Sequence, residues 1–120
     1  MAALPTLKTR RQFLAVAGAK QRFVTPGLVL QVAAEPRSDE GPVRVGYTAS
    51  KKVGNAVARN RAKRRLRALA NTILPLYDLD GRDIVLIARA ETVTRPFTLL
   101  RKDLQRALGK LGWAVAEMEW

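Results

Sequence analysis

The sequence contains no cysteine and no histidine. The first absence removes disulfides, thiolate metal ligands and a cysteine nucleophile. The second removes zinc fingers, His-bearing zinc or iron sites, the Ser-His-Asp triad and imidazole acid–base catalysis. Serine occurs only as Ser38 and Ser50, and neither lies in a G-x-S-x-G elbow. No apolar run exceeds that of Ile84 to Ala88, far below the ~20 residues that a spanning helix needs. No basic n-region followed by an apolar h-region opens the chain, so the expected compartment is the cytoplasm. Acidic side chains are scarce too: Asp and Glu number 10 against 22 Lys and Arg, for a net charge of +12. This inventory argues against a self-sufficient protein catalyst and for a polyanionic partner.

What is present fits one domain: 120 residues, 48% of them hydrophobic, enough for a core without staples. The expected organisation is a single polyanion-binding domain over 1–120, with its core at about 7–112. Residues 113–120 form either an extension or an extra strand. Charge is unevenly spread. Residues 1–40 carry a net +3, residues 41–77 carry 9 basic side chains and no acidic one, and residues 78–120 balance. Eight of those nine cations fall between Lys51 and Arg67. Phosphate backbones are the usual partner of so concentrated a block.

The pattern predicts alternating elements. Thr9-Arg10-Arg11-Gln12 has capping-box spacing and opens a short helix. Pro26-Gly27 breaks the chain before a strand over Leu28–Ala33. A polar turn of hairpin-loop length, Pro36 to Pro42, then leads to an alternating, half-buried strand over 43–50. Asn55 caps a helix that Pro75 ends. Asp80-Gly81 reads as a turn, Ile84 to Ala88 as a buried strand, and Pro96 as the start of a last helix ending near Gly109 or Gly112. The fold class is therefore α+β, with one antiparallel hairpin and one strand–helix–strand crossover, ordinarily right-handed.

On the central helix, Ala58, Ala62, Leu66, Leu69 and Ile73 share an arc of roughly 80°. The opposite face centres on Asn60, Arg64 and Arg67, with Arg61 and Lys63 on its shoulders, while Arg59 and Arg65 flank the apolar stripe. No acidic residue stands at i±3 or i±4 from these cations. Arg59/Lys63, Lys63/Arg67 and Arg61/Arg65 are repulsive pairs that a polyanion would relieve.

The block from Ser50 to Arg67, SKKVGNAVARNRAKRRLR, closely resembles the signature of the bacterial ribonuclease P protein family. Arg59-Asn60-Arg61, followed by Lys63-Arg64 and Arg67, is similar to that family's "RNR" motif. Leu7-Lys8 with Phe13, Val43-Arg44-Val45-Gly46 and Asp83 to Arg89 resemble its first helix, an early strand and its later strand. The resemblance implies an α/β sandwich of αβββαβα type with a mixed sheet and an unusual left-handed crossover through the basic helix. It implies a ribonucleoprotein that removes the 5′ leader of precursor tRNA, with the chemistry carried by the RNA and its Mg²⁺, and no cofactor on the protein. By position, Arg59, Asn60, Arg61, Lys63, Arg64 and Arg67 are implied to contact the catalytic RNA. Phe13, Lys51, Lys52 and Arg89 are implied to line a cleft for the single-stranded leader, although Phe13 is equally readable as a core residue. Ala17, Gln31 and Ala90 stand where relatives often carry an aromatic residue, a tyrosine and a lysine.

Other readings stay open. A structural RNA-binding protein, such as a ribosomal protein, fits the composition as well. DNA lacks a helix-turn-helix or dimer element to receive it, and a membrane surface would compete with the core for the helix's apolar face, so neither is an expected partner. Asp78, Asp80 and Asp83 suggest a turn more simply than a metal site. Trp113 and Trp120 are readable as core-closing or contact residues.

Overall fold

Thr9 opens the first helix through side-chain bonds in both directions. Its hydroxyl accepts from the Gln12 N–H, and the Gln12 side chain accepts from the N–H groups of Lys8 and Thr9. In the computed structural model, which describes residues 3–39 and 41–113, this helix is α1 (Arg10–Gly18). Lys20, at φ 59°, turns the chain into β1 (Gln21–Val24), a strand too short for periodicity to announce. The backbone and hydroxyl of Thr25 bond Leu28 across Pro26-Gly27, closing an antiparallel hairpin with β2 (Leu28–Val32).

β3 (Arg44–Thr48) follows the Pro36–Pro42 loop, but that loop does not close a hairpin. β2 pairs with β4 (Asp83–Ala88) antiparallel and β3 pairs with β4 parallel, giving the order β1-β2-β4-β3. The reason is the apolar character of β4 on both faces. Ile84, Leu86 and Ala88 join one cluster, while Val85 and Ile87 face the other, and a strand covered on both sides belongs inside a sheet. The loop therefore spans two strand spacings, roughly 10 Å, where a hairpin would span one.

α1 covers one face of the sheet, with Leu7, Phe13 and Val16 against Val85 and Ile87. α2 (Ala56–Ile73) and α3 (Phe97–Lys110) cover the other. Asn55 caps α2 by accepting from the Ala58 N–H at 2.9 Å, and the 3₁₀ turn Leu74–Leu76, with Pro75, ends it. Ala62, Leu66, Leu69 and Ile73 are fully buried; Ala58 is half-buried and Ala70 joins the stripe. Burying each of the larger three contributes ~1.5–3 kcal/mol, which exceeds the few tenths lost at each like-charge pair on the same helix. Pro96 caps α3 and Gly112, at φ 95°, follows it.

The packed core begins earlier than residue 7. Leu4 packs on it, its N–H donates to Asn71 Oδ1, and Thr6 forms a parallel bridge with Val45. Trp113 packs half-buried against the same core beneath Arg82, 5.0 Å from the ring centroid. Residues 114–120, including Trp120, lie outside the described residues.

Asp83 is held by two guanidiniums. Arg37 Nη1 and Arg44 Nε donate to Oδ1 at 2.8 Å each, and Arg44 Nη2 to Oδ2 at 2.6 Å. Arg37 also donates to the Pro42 and Arg82 carbonyls, so this cluster ties down the long loop. Burial alone would raise the Asp83 pKa, but the hydrogen bonds and charges of Arg44 and Arg37 outweigh it and hold the carboxyl below its usual range. A depressed folded-state pKa gives stability that is present above the unfolded value and is lost as pH falls through the folded one. Asp83→Asn should therefore cost ~1.5–3 kcal/mol near neutral pH, as its charge-assisted bonds disappear. In urea titrations repeated from about pH 7 to about pH 2, its deficit against wild type should shrink towards zero in acid; a deficit independent of pH would deny Asp83 this role.

Candidate nucleic-acid interface

α2 sorts its side chains as its 3.6-residue period requires. Asn60, Arg61, Arg64 and Arg67 are exposed, while Arg59, Lys63 and Arg65 are half-buried. Among the described residues no carboxylate forms an ion pair with any of these cations.

The cations are not equivalent. Arg65 Nη1 donates to the Thr92 carbonyl at 2.6 Å and Nη2 to the Arg95 carbonyl. Desolvation, then the charge of Arg61, lowers the Arg65 pKa. Arg61 Nε donates to the Val93 carbonyl at 3.1 Å. These two arginines fasten α2 to the 3₁₀ turn Ala90–Val93. Arg67 lies over the Tyr47 ring at 5.1 Å, a cation–π contact that orients it. Burial pushes the Tyr47 phenol up to about 12, against the opposing charge of Arg67. Arg59 keeps its Nε buried without a hydrogen-bond partner among the described residues. Among the described residues Asn60 and Arg64 have no such ties, and Lys63 stands at the edge of the exposed face.

The second group gathers at one end of the sheet. Because β3 and β4 run parallel, with Thr48 beside Ile87, the segments leaving them emerge together. The 3₁₀ turn Lys51–Val53, capped by Ser50, contacts the turn Ala90–Val93. Lys51, Lys52 and Arg89 are all exposed there, and Arg89 Nη1 donates to the Thr25 carbonyl at 2.6 Å. The N-terminal turn of α2 starts from this same end, since it follows directly from the Lys51–Val53 turn.

Phe13 stands farther down the α1-covered face. Its ring seats on Gly46, where an added Cβ would collide with Phe13 Cε1. Phe13 is half-buried, so it serves the small cluster under α1 while keeping part of its ring open. The row of the sheet containing Gly46 runs Arg22, Gln31, Val85, Gly46. The next, towards the basic end, runs Val24, Val29, Ile87, Thr48. Val24 is 49% exposed, Ile87 and Thr48 are half-buried, and Ala17 is exposed. A partly open apolar floor thus lies between an aromatic ring and three cations. That combination suits a single strand, whose bases stack while its phosphates meet charge.

The carboxylates are arranged for other work. Asp83 is taken by two arginines, and Asp103 by Arg95 at 2.7 Å. Asp80-Gly81 forms the expected turn, with Gly81 at φ 79°. Among the described residues no group of three carboxylates is placed to hold a metal. Sequence reasoning missed the anchoring role of Arg65, and no local signal could supply it. Its partners are backbone carbonyls more than 25 positions away.

The fold has counterparts among known proteins. The family model described as Ribonuclease P matches residues 1–112. The ribonuclease P protein component of Paramagnetospirillum magneticum is 46% identical over 113 residues, covering 92% of this chain and 85% of the relative. That of Ruegeria pomeroyi is 48% identical over 109 residues, covering 90% and 86%. Among solved structures, the RNase P protein of Thermotoga maritima superposes with a TM-score of 0.69 at 25% identity, covering 84% of this chain and 92% of that one. The Staphylococcus aureus protein gives 0.72 at 22% identity, covering 89% and 94%, and supports the fold.

The partition along α2 is testable by paired substitutions. Arg65→Ala removes two charge-assisted bonds to carbonyls and should cost ~1.5–3 kcal/mol of folding stability. Arg64→Ala touches only solvent and should stay within about 0.5 kcal/mol of wild type. Denaturant unfolding of both variants checks this, and equal losses would mean that the helix faces are reversed.

Proposed function

The chain belongs to the bacterial ribonuclease P protein family and is a protein component of that endoribonuclease, which processes tRNA 5′ ends; from that premise we propose which surface meets which RNA. The exposed side of α2, with Arg59, Asn60, Arg61, Lys63, Arg64 and Arg67, holds the catalytic RNA. The floor beside Phe13, with Lys51, Lys52 and Arg89 at its end, holds the single-stranded leader of precursor tRNA. The observation that carries this reading is the cationic face of α2, which forms no ion pair among the described residues and is bolted to the turn Ala90–Val93.

In this reading the protein supplies binding and orientation. Its buried carboxylates are committed to arginines, so Mg²⁺ is held by the RNA, where it supplies activation of water for phosphodiester hydrolysis. Cations near the RNA backbone neutralise phosphate charge and thereby lower the Mg²⁺ that the folded RNA demands. Stacking on Phe13 adds ~1–3 kcal/mol per base in sites of this kind. With Ala17, Gln31 and Ala90 around it, the floor is less aromatic and less cationic than in many relatives, and its leader affinity is correspondingly modest. Among the described residues no helix is long and apolar enough to cross a membrane, and we place the enzyme with its tRNA substrates in the cytoplasm.

Reconstitution tests the proposal. The RNA-free protein should be inert on precursor tRNA. Added to the ribonuclease P RNA of its own organism, it should restore 5′ leader removal at reduced Mg²⁺. Specific leader removal by nuclease-free protein alone would overturn the division of labour, and failure to stimulate that RNA would favour a purely structural RNA-binding protein. In the reconstituted enzyme, Phe13→Ala and Lys51→Gln/Lys52→Gln should each lower the ratio of precursor to mature tRNA affinity. Only the lysine pair should flatten its salt dependence, by under ~0.7 for each leader phosphate no longer neutralised. An unchanged ratio in both would remove these residues from leader recognition.

A further inference from the structure

The charge of residues 78–120 sums to zero in the sequence, yet on α3 the fold separates the two signs. Asp103, the one acidic residue of α3, is 6% exposed and turned inward to Arg95. Glu91 lies against the same Arg95, and Asp83 is enclosed by Arg37 and Arg44. The cations of α3 take the other side: Arg101, Lys102, Arg106 and Lys110 are all exposed, and none forms an ion pair among the described residues.

Lys102, Arg106 and Lys110 follow one another at i, i+4 and i+8, which places them along one stripe. Each neighbouring pair is repulsive, the same sign pattern that α2 carries. Arg106 is held over the Phe23 ring at 5.9 Å, so the stripe runs along the β1 edge of the helical layer. α3 packs on β1 and β2 and touches α2, which packs on β3 and β4. The two helices therefore lie side by side on one face of the sheet, and each shows cations to solvent. Helices in contact pack with their axes ~8–10 Å apart, a gap that one folded RNA bridges easily.

We propose that the Lys102-Arg106-Lys110 stripe of α3 is a second docking surface for the phosphate backbone of structured RNA, so that the catalytic RNA lies across the α2–α3 layer. This rests on the assignment of α2 to that RNA. A shared helical layer with α2 and the wholly cationic side chains of the stripe select a nucleic-acid backbone over a protein partner.

The test measures affinity of the full chain for the ribonuclease P RNA of its own organism across a salt series, without tRNA. Three variants are compared: Lys102→Gln/Lys110→Gln on α3, which leaves the Arg106–Phe23 contact intact; Arg64→Gln on α2; and Arg10→Gln/Arg11→Gln on α1, a control of equal charge loss on the opposite face of the sheet. The α3 pair should lower affinity about tenfold and reduce the salt slope by ~1–2, at ~0.9 per duplex phosphate contact. Its melting temperature should stay at or above wild type, because two repulsive pairs are relieved. The α1 pair should change affinity far less. Equal losses in the α1 and α3 pairs would reduce the effect to net charge and overturn the proposal. Full affinity in the α3 pair with a loss in Arg64→Gln would overturn it while leaving the α2 interface standing. Full affinity in all three would remove both.

Discussion

Repulsion between like charges is the constraint around which the molecule is arranged. α2 places six cationic side chains within nine residues, from Arg59 to Arg67, and an isolated helix of that kind would fray. Two devices hold it. The apolar stripe through Leu66, Leu69 and Ile73 buries enough surface to outweigh the repulsion several times over. Arg65 and Arg61 spend their hydrogen bonds on the carbonyls of Thr92, Arg95 and Val93, turning two of the repelling charges into fastenings. Asp83, Glu91 and Asp103 are paired instead with Arg37, Arg44 and Arg95. The positive field is thus left at the surface by the way the fold distributes its few carboxylates.

The turn Ala90–Val93 joins the two proposed RNA surfaces. Thr92 is fully buried; its hydroxyl donates to the Gly27 carbonyl and accepts from the Arg89 N–H, while its carbonyl receives Arg65. The β1–β2 turn, the end of β4 and the middle of α2 therefore meet on one residue. Arg89 is held on the same hairpin through Thr25. Such fixed geometry places the leader end and the α2 end at one separation before any RNA arrives, which reduces the ordering cost of binding both.

Much of this was legible in the chain. The Thr9 box, the Asn55 cap, the apolar stripe of α2, the Asp80-Gly81 turn and the cationic face all rest on short-range spacing, and the structure reproduces them. The resemblance of the Ser50–Arg67 block reached the family itself, which the comparisons bear out. What escaped was long-range. The partner of β2 depends on a strand more than 50 positions later, and a loop of hairpin length conceals that. β1 is four residues long and lacks a pattern. The stripe on α3 was hidden because a segment sum cannot show that Asp103 and Lys102 face opposite ways. Gly46 reads as a plain strand glycine until the ring of Phe13 is seen to occupy the space of its missing side chain.

The strand order also governs when this protein becomes a protein. β4 fills the gap between β2 and β3, yet among the described residues it is the last strand to leave the ribosome. Until Ala88 has emerged, the growing chain has only the β1–β2 hairpin, a marginal structure by itself, and the apolar stripe of α2 has no completed sheet to cover it. The basic helix is therefore synthesised before its seat and acquires that rigid seat later, when β4 and the turn behind it lock in together. A nascent chain stalled before that point would expose its cations on an unanchored segment, able to cling to any RNA nearby but not to present them in a fixed array. The fixed array of cations is thus a property that arrives only with the last third of the chain.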